Sequence, residues 1–221
     1  GIPTVGFVNE MKLHEGGAQE VAARTALLEQ WLEAGAELGN HMYSHPDINV
    51  VPIEEYKRDL LRGEEITRPL MRKHGMTVRY FRHPYLRAGK EAHVKAELER
   101  FLREQDYTIA PVTIDNDEWI FASAYDKAAE KNDSATMKRI GEDYIRYMEE
   151  CFAFSEHIAT QVLGGDLKQV LLVHANAMNA EYLDELIAMI EKRGYAFIPL
   201  SAALEDEAYR RDDPYVGAKG W

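Results

Sequence analysis

The stretch Glu37-Leu-Gly-Asn-His41-Met-Tyr-Ser-His45-Pro-Asp47 decides how the rest of this chain is read. His41 and His45 stand four apart. On a helix or a tight helical turn that spacing puts two imidazoles on one face, where both can reach one metal ion. Apolar Ala36 and Leu38 just upstream predict the end of a short buried strand, so both histidines are expected in a loop at its mouth. Taken alone, H-x-x-x-H fits an ordinary surface or core pair as well as a metal site. The weight therefore falls on what the other strand ends carry.

Outward from this loop, strands and helices alternate. Ile2 to Asn9 is apolar and β-branched and predicts a buried strand, followed by a helix over Ala18 to Ala34 that Gly35 closes. Ala36 to Asn40 is the second strand. The pattern then predicts one helix from Pro52 to His74, a strand over Thr77–Phe81, a helix from Gly89 to Gln105 and a strand from Tyr107 to Ile114. A short helix over Phe121 to Ala129 precedes a long one with Ser134 as N-cap, reaching about Val162. Gln169–Val173 reads as a strand, Asn179 as the cap of the next helix, and Tyr195–Ile198 as a final strand. Repeated β-α units predict parallel strands in one domain, as a barrel or a doubly wound sheet.

The 221 residues are ample for a core, and 46% hydrophobic with 29% charged is ordinary globular composition. A formal net charge of −12 argues against nucleic acid or an anionic membrane as partner, since both need a basic face. No apolar run is long enough for a membrane span. The single Cys151 lies in a helical pattern with Met148 and Phe152, which favours a core thiol over a nucleophile and leaves the compartment undecided.

Polar residues fall where a β/α barrel would gather them. His41 and His45 follow the second predicted strand, Arg82 and Tyr85 the third, Asp115, Asp117 and Trp119 the fourth, and His174 the next. Carboxyl ends of parallel barrel strands form one rim, which is where active sites are built. Each residue also has a bland reading: Arg82 as a surface ion-pair partner, Trp119 as a core aromatic, His174 as a satisfied histidine.

These motifs resemble those of the polysaccharide deacetylases, the NodB-homology carbohydrate esterases of family 4. Glu37–Asp47 is similar to the family's histidine motif, Arg82-His-Pro-Tyr85 to its R-x-P-Y motif, and Asp115-Asn-Asp-Glu-Trp119 loosely to its D-x-x-D-W motif, with Glu118 where the second Asp is expected. Val173-His174 resembles the last motif. The resemblance implies a distorted (β/α) barrel, incomplete at its N-terminus. The family's first motif, T-F-D-D, supplies the base aspartate and an aspartate metal ligand, and it is absent from this sequence.

By resemblance, His41 and His45 would hold Zn²⁺ or a similar divalent ion, and the Tyr85 backbone N–H would stabilise the oxyanion. His174 would protonate the leaving group with Asp115 as its carboxylate, and Arg82 would orient the missing base. Trp119, His83 and Leu172 would shape the substrate cleft. The implied substrate is an N- or O-acetylated carbohydrate, with a secreted or periplasmic location favoured. Three alternatives stay open: a pseudoenzyme that binds sugar or metal without turnover, a metal-dependent amidase acting on a small acyl compound, and a doubly wound binding protein. A barrel lacking its first strand would expose a sheet edge, so dimerisation or a covering segment is a further expectation.

Overall fold

In the computed structural model, residues 1–220 are described. They form two compact units: residues 1–111 with the C-terminal segment from Asp212, and residues 112–211.

The first unit is built on a parallel sheet in the order β1-β2-β3-β4. β1 (Val5–Val8) pairs with β2 (Glu37–Asn40) over four residues, from Val5 opposite Glu37 to Val8 opposite Asn40. β3 (Tyr80–Phe81) and β4 (Thr108–Ile109) continue it. Between them run α1 (Ala18–Glu33), α2 (Ile53–Arg62), α3 (Thr67–Lys73) and α4 (Ala92–Glu104). In α1 the Glu20 carboxylate accepts the Gly17 N–H at 2.9 Å, and Gly35 leaves the helix at φ +89°, as a left-handed glycine should. The core gathers Leu38, Met42, Tyr56, Leu60, Phe81, Leu98 and Leu102, all fully buried.

The expected single helix from Pro52 to His74 is two. Gly63 ends α2, and its backbone abuts the histidine loop so closely that a Cβ there would lie 2.5 Å from the Met42 carbonyl carbon. The start of α3 is held instead by the fully buried Glu10, whose carboxylate accepts the N–H groups of Ile66 and Thr67 at 3.0 and 2.6 Å.

In the second unit, α5 (Glu118–Glu130), α6 (Ser134–Leu163), α7 (Ala177–Glu181) and α8 (Leu183–Lys192) surround Ile114, Tyr144, Met148, Phe152, Met178 and Leu186. A short α9 (Leu200–Ala203) follows. Asp133, not Ser134, caps α6, accepting from Thr136 N at 3.0 Å. Asn176, not Asn179, caps α7. The expected strand Gln169–Val173 is reduced to one parallel bridge, Leu171 with Ile114, and Tyr195–Ile198 forms no strand. The parallel α/β architecture is present. Its four paired strands form one parallel sheet, which is compatible with the expected distorted barrel.

Candidate functional site

The histidine loop leaves β2 without becoming helical. Met42 and His45 take φ +69° and +57°, and the two rings meet through this turned-back backbone. His41 Nε2 and His45 Nε2 lie 3.1 Å apart. The Arg82 carbonyl lies 2.8 Å from His41 Nδ1. A carbonyl only accepts, so Nδ1 carries the proton and Nε2 is the basic nitrogen. Second-neighbour contacts of this kind fix the tautomer of a metal-binding histidine.

The loop is anchored on every side. Asn40, fully buried, donates to the Leu60 carbonyl (2.9 Å) and the Tyr107 hydroxyl (2.8 Å) and accepts from Met42 N (2.7 Å). Tyr107 in turn donates to Glu64 at 2.5 Å, and burial pushes its phenol far up. Asp59 accepts from Tyr43 N (2.9 Å), Ser44 N (3.0 Å) and the Ser44 hydroxyl (2.6 Å). Asp47 pairs with Arg87.

Arg82 follows β3 into the interior. Its guanidinium lies 4.2 Å from the Phe7 ring centre and donates to the carbonyls of Ala110 (3.5 Å) and Pro111 (3.1 Å). No carboxylate pairs with it among the described residues, and burial pulls it down to about 10. The surface ion pair is therefore not its role. Next to it, His83 is buried edge-on against Phe81 with ring centres 5.1 Å apart. Burial, then nearby Lys95, lowers its imidazole to about 4. The substrate cleft is the place expected for His83; here its ring is buried against Phe81, with Nδ1 buried and without a hydrogen-bond partner among the described residues.

Tyr85 stands at φ +55°, ψ +16°, and Leu86 also has positive φ. Two consecutive left-handed non-glycine residues are strained and must be held by their surroundings. The Tyr85 ring packs edge-on against His45 at 4.6 Å, and its N–H has no acceptor among the described residues.

In the second unit the carboxylate on His174 is Glu118, not Asp115. Glu118 Oε1 lies 2.6 Å from His174 Nδ1 and accepts His174 N at 2.8 Å, while Oε2 accepts from Asn176 at 3.1 Å. Burial raises Glu118, but these donors outweigh it and hold the group below the usual carboxylate range. Asp115 accepts only from Asn116 N (2.9 Å) and is raised by burial. Its short side chain serves the turn. Glu118 is one methylene longer and sits at the start of α5 pointing inward, which is why it reaches the histidine. The sequence signal was present: Glu118 occupies the second acidic position of D-x-x-D-W. Trp119 is 56% exposed with its indole N–H on Asp117 at 3.2 Å, so it is no core aromatic. Leu172 is half-buried, its carbonyl taking the Asn116 amide at 2.8 Å.

The metal expectation can be tested on the donors. Two nitrogens bound to one tetrahedral ion at ~2.0–2.1 Å stand about 3.3 Å apart. The observed 3.1 Å fits two ligand positions. No group of three His, Cys, Asp or Glu side chains suits an ion among the described residues, so a third protein ligand is not among them.

Residues 1–101 match the family model for polysaccharide deacetylase. A peptidoglycan-N-acetylglucosamine deacetylase of Bacillus cereus is 24% identical over 177 residues, which are 80% of this chain and 52% of that protein. The chain thus spans about half the length of the curated relative it matches. Among solved structures, a CE4 family pseudoenzyme from Bacillus anthracis superimposes with a TM-score of 0.54 at 16% identity, over 93% of this chain and 66% of that one. A family 4 acetyl xylan esterase from Clostridium thermocellum, solved with a cobalt ion, gives 0.55 at 14% identity, over 95% and 83%. At such identities the superpositions speak for the fold alone. The first 101 residues are thus similar to the polysaccharide deacetylase family, and the parallel α/β fold is shared with structures of that family.

Proposed function

We propose that this chain takes part in hydrolytic deacetylation of an acetylated carbohydrate, an N-acetyl amino sugar of a peptidoglycan-type polymer first among candidates. Water is consumed, the acyl C–N bond breaks, and acetate and a free amine form. The observation that carries the reading is the paired Nε2 atoms of His41 and His45, with the His41 tautomer fixed by the Arg82 carbonyl.

His41 and His45 would hold a divalent ion, zinc or a similar metal. When bound, such an ion polarises the acetyl carbonyl and lowers the pKa of a coordinated water towards ~7. The chain's own residues supply the rest. The Tyr85 N–H, with no acceptor among the described residues, would take negative charge on the carbonyl oxygen; one such donor is worth roughly 3–4 kcal/mol of barrier. Within the second unit, Glu118 holding the Nδ1–H of His174 is a pairing that suits a general acid. Arg82 offers a buried positive charge to a carboxylate. Trp119, exposed at the head of α5, is a sugar-stacking candidate. A polymeric cell-wall substrate would put the protein outside the cytoplasm; no helix is long and apolar enough to cross a membrane among the described residues.

Titration with Zn²⁺ or Co²⁺, followed by calorimetry, tests the reading. His41→Ala and His45→Ala are each expected to weaken binding by about 10–100-fold or more. Equal affinity in wild type and both variants overturns it. A second reading, a pseudoenzyme that binds metal or sugar without turnover, is supported by Arg82 having no carboxylate, and the two histidines no third His, Cys, Asp or Glu, among the described residues. Metal binding without acetate release from N-acetylglucosamine oligomers would select it.

A further inference from the structure

We infer that the C-terminal segment Asp213–Gly220, gripped by Lys95, is a clamp that holds the strained Tyr85–Leu86 turn and so positions the Tyr85 N–H. The inference deepens the proposed function and rests on its reading of Tyr85.

Lys95 is an inward-facing residue of α4 and only 6% exposed. Its ammonium has three protons and meets three oxygens of the returning chain: the Asp213 carbonyl and Oδ2, both at 2.7 Å, and the Tyr215 carbonyl at 2.8 Å. Asp213 Oδ1 accepts Tyr215 N at 3.0 Å, which fixes the turn being gripped. Glu99, one turn on in α4, lies farther off at 3.9 Å, so the close contacts of this buried cation all go to the one segment and make a specific anchor for it.

Farther on, the Ala218 carbonyl accepts the Asn49 side-chain amide at 3.0 Å. Asn49 N donates to Asp47 at 2.9 Å, and Asp47 pairs with Arg87. The segment is thereby tied to both the histidine loop and the Tyr85 loop. At its end, Gly220 lies against the turn: a Cβ there would sit 2.2 Å from the Tyr85 carbonyl oxygen and 3.0 Å from Leu86 Cβ. The left-handed residues Tyr85 and Leu86 need outside support to persist. The strap supplies it on the solvent side, and the direction of the Tyr85 N–H follows from that backbone.

The test is amide hydrogen exchange on the full chain, read at Leu86 and Arg87, whose N–H groups donate to the His83 and Pro84 carbonyls at 3.1 Å. Lys95→Met keeps the stem and removes the grip, Gly220→Ala collides with the Tyr85 carbonyl, and Lys95→Arg keeps the charge. Exchange at Leu86 and Arg87 is expected to speed up by about tenfold in Lys95→Met and Gly220→Ala and to stay within about twofold in Lys95→Arg. The sheet amides His41 and Arg82 should be unaffected in all three. Unchanged protection of the turn in either disrupting variant overturns the clamp, as does equal acceleration at His41 and Arg82. Where acetate release is measurable, kcat should fall in the disrupting variants with KM held within about twofold. Exchange needs no turnover, so it decides on the clamp even if acetate release fails and the deacetylase reading falls.

Discussion

Glu118 Oε1 lies 2.6 Å from His174 Nδ1 and 2.8 Å from its backbone nitrogen, so one buried carboxylate fixes both the ring and the chain of the residue it serves. Glu118→Gln keeps an acceptor but loses the charge. It should lower acetate release by about 10–100-fold and cost about 1 kcal/mol of stability. Glu118→Ala leaves three donors unmatched and should cost about 2–4 kcal/mol by urea denaturation. An Asp115→Asn variant with the larger effect would return the partnership to Asp115.

Histidine 83 predicts an acid-sensitive fold. Its imidazole, buried and lowered to about 4, is neutral in the folded state, whereas the unfolded chain titrates near 6.5. Between those values the unfolded state binds more protons. Stability from this group is thus complete above about pH 6.5, declines as pH falls, and is fully lost below about 4. The loss should be on the order of 3 kcal/mol. His83→Phe, packing on Phe81, should flatten the curve in that window; a profile identical to wild type would falsify the assignment. Glu118 acts in a lower window, because its depressed folded value makes its contribution fade only as pH falls below about 4.3.

Arg82 predicts an unusual tolerance. Its charge is buried beside Phe7 with two carbonyl acceptors and no described carboxylate. Removing such a charge relieves desolvation. Arg82→Met should unfold within about 1 kcal/mol of wild type, or be more stable. A loss above about 3 kcal/mol would mean that a carboxylate does pair with the guanidinium in solution.

Asn40 predicts coupling between core and loop. Its amide satisfies the Leu60 carbonyl, the Tyr107 hydroxyl and Met42 N at once. Asn40→Ala should cost about 2–4 kcal/mol and weaken metal binding, since Met42 leads into His45. Full metal affinity in that variant would show the loop holds itself.

Helices were legible in the sequence wherever an apolar stripe was long; α1 and α4 fall within a few residues of their expected bounds. The late strands were misread for a definable reason. Gln169–Val173 has the β-branched, apolar composition of a strand, but a strand needs a ladder, and its backbone bonds to Thr113 and Ile114 make a single bridge. Of the candidate site residues, His41, His45, Arg82 and Tyr85 lie together in the first unit. Glu118 was marked by its place in D-x-x-D-W, but spacing cannot show which of three nearby carboxylates is long enough to reach a histidine 56 positions away. His83 looked like a cleft residue because R-x-P-Y does not say which way its second side chain turns.

Gly63 carries a last consequence. By helix propensity alone it is a defect, and an engineer seeking a sturdier protein would replace it to fuse α2 and α3 into one rod. The vacancy where its side chain would be is filled by Met42 and Tyr43. Any larger residue would push the histidine loop outward, so gaining helix there means giving up the paired imidazoles.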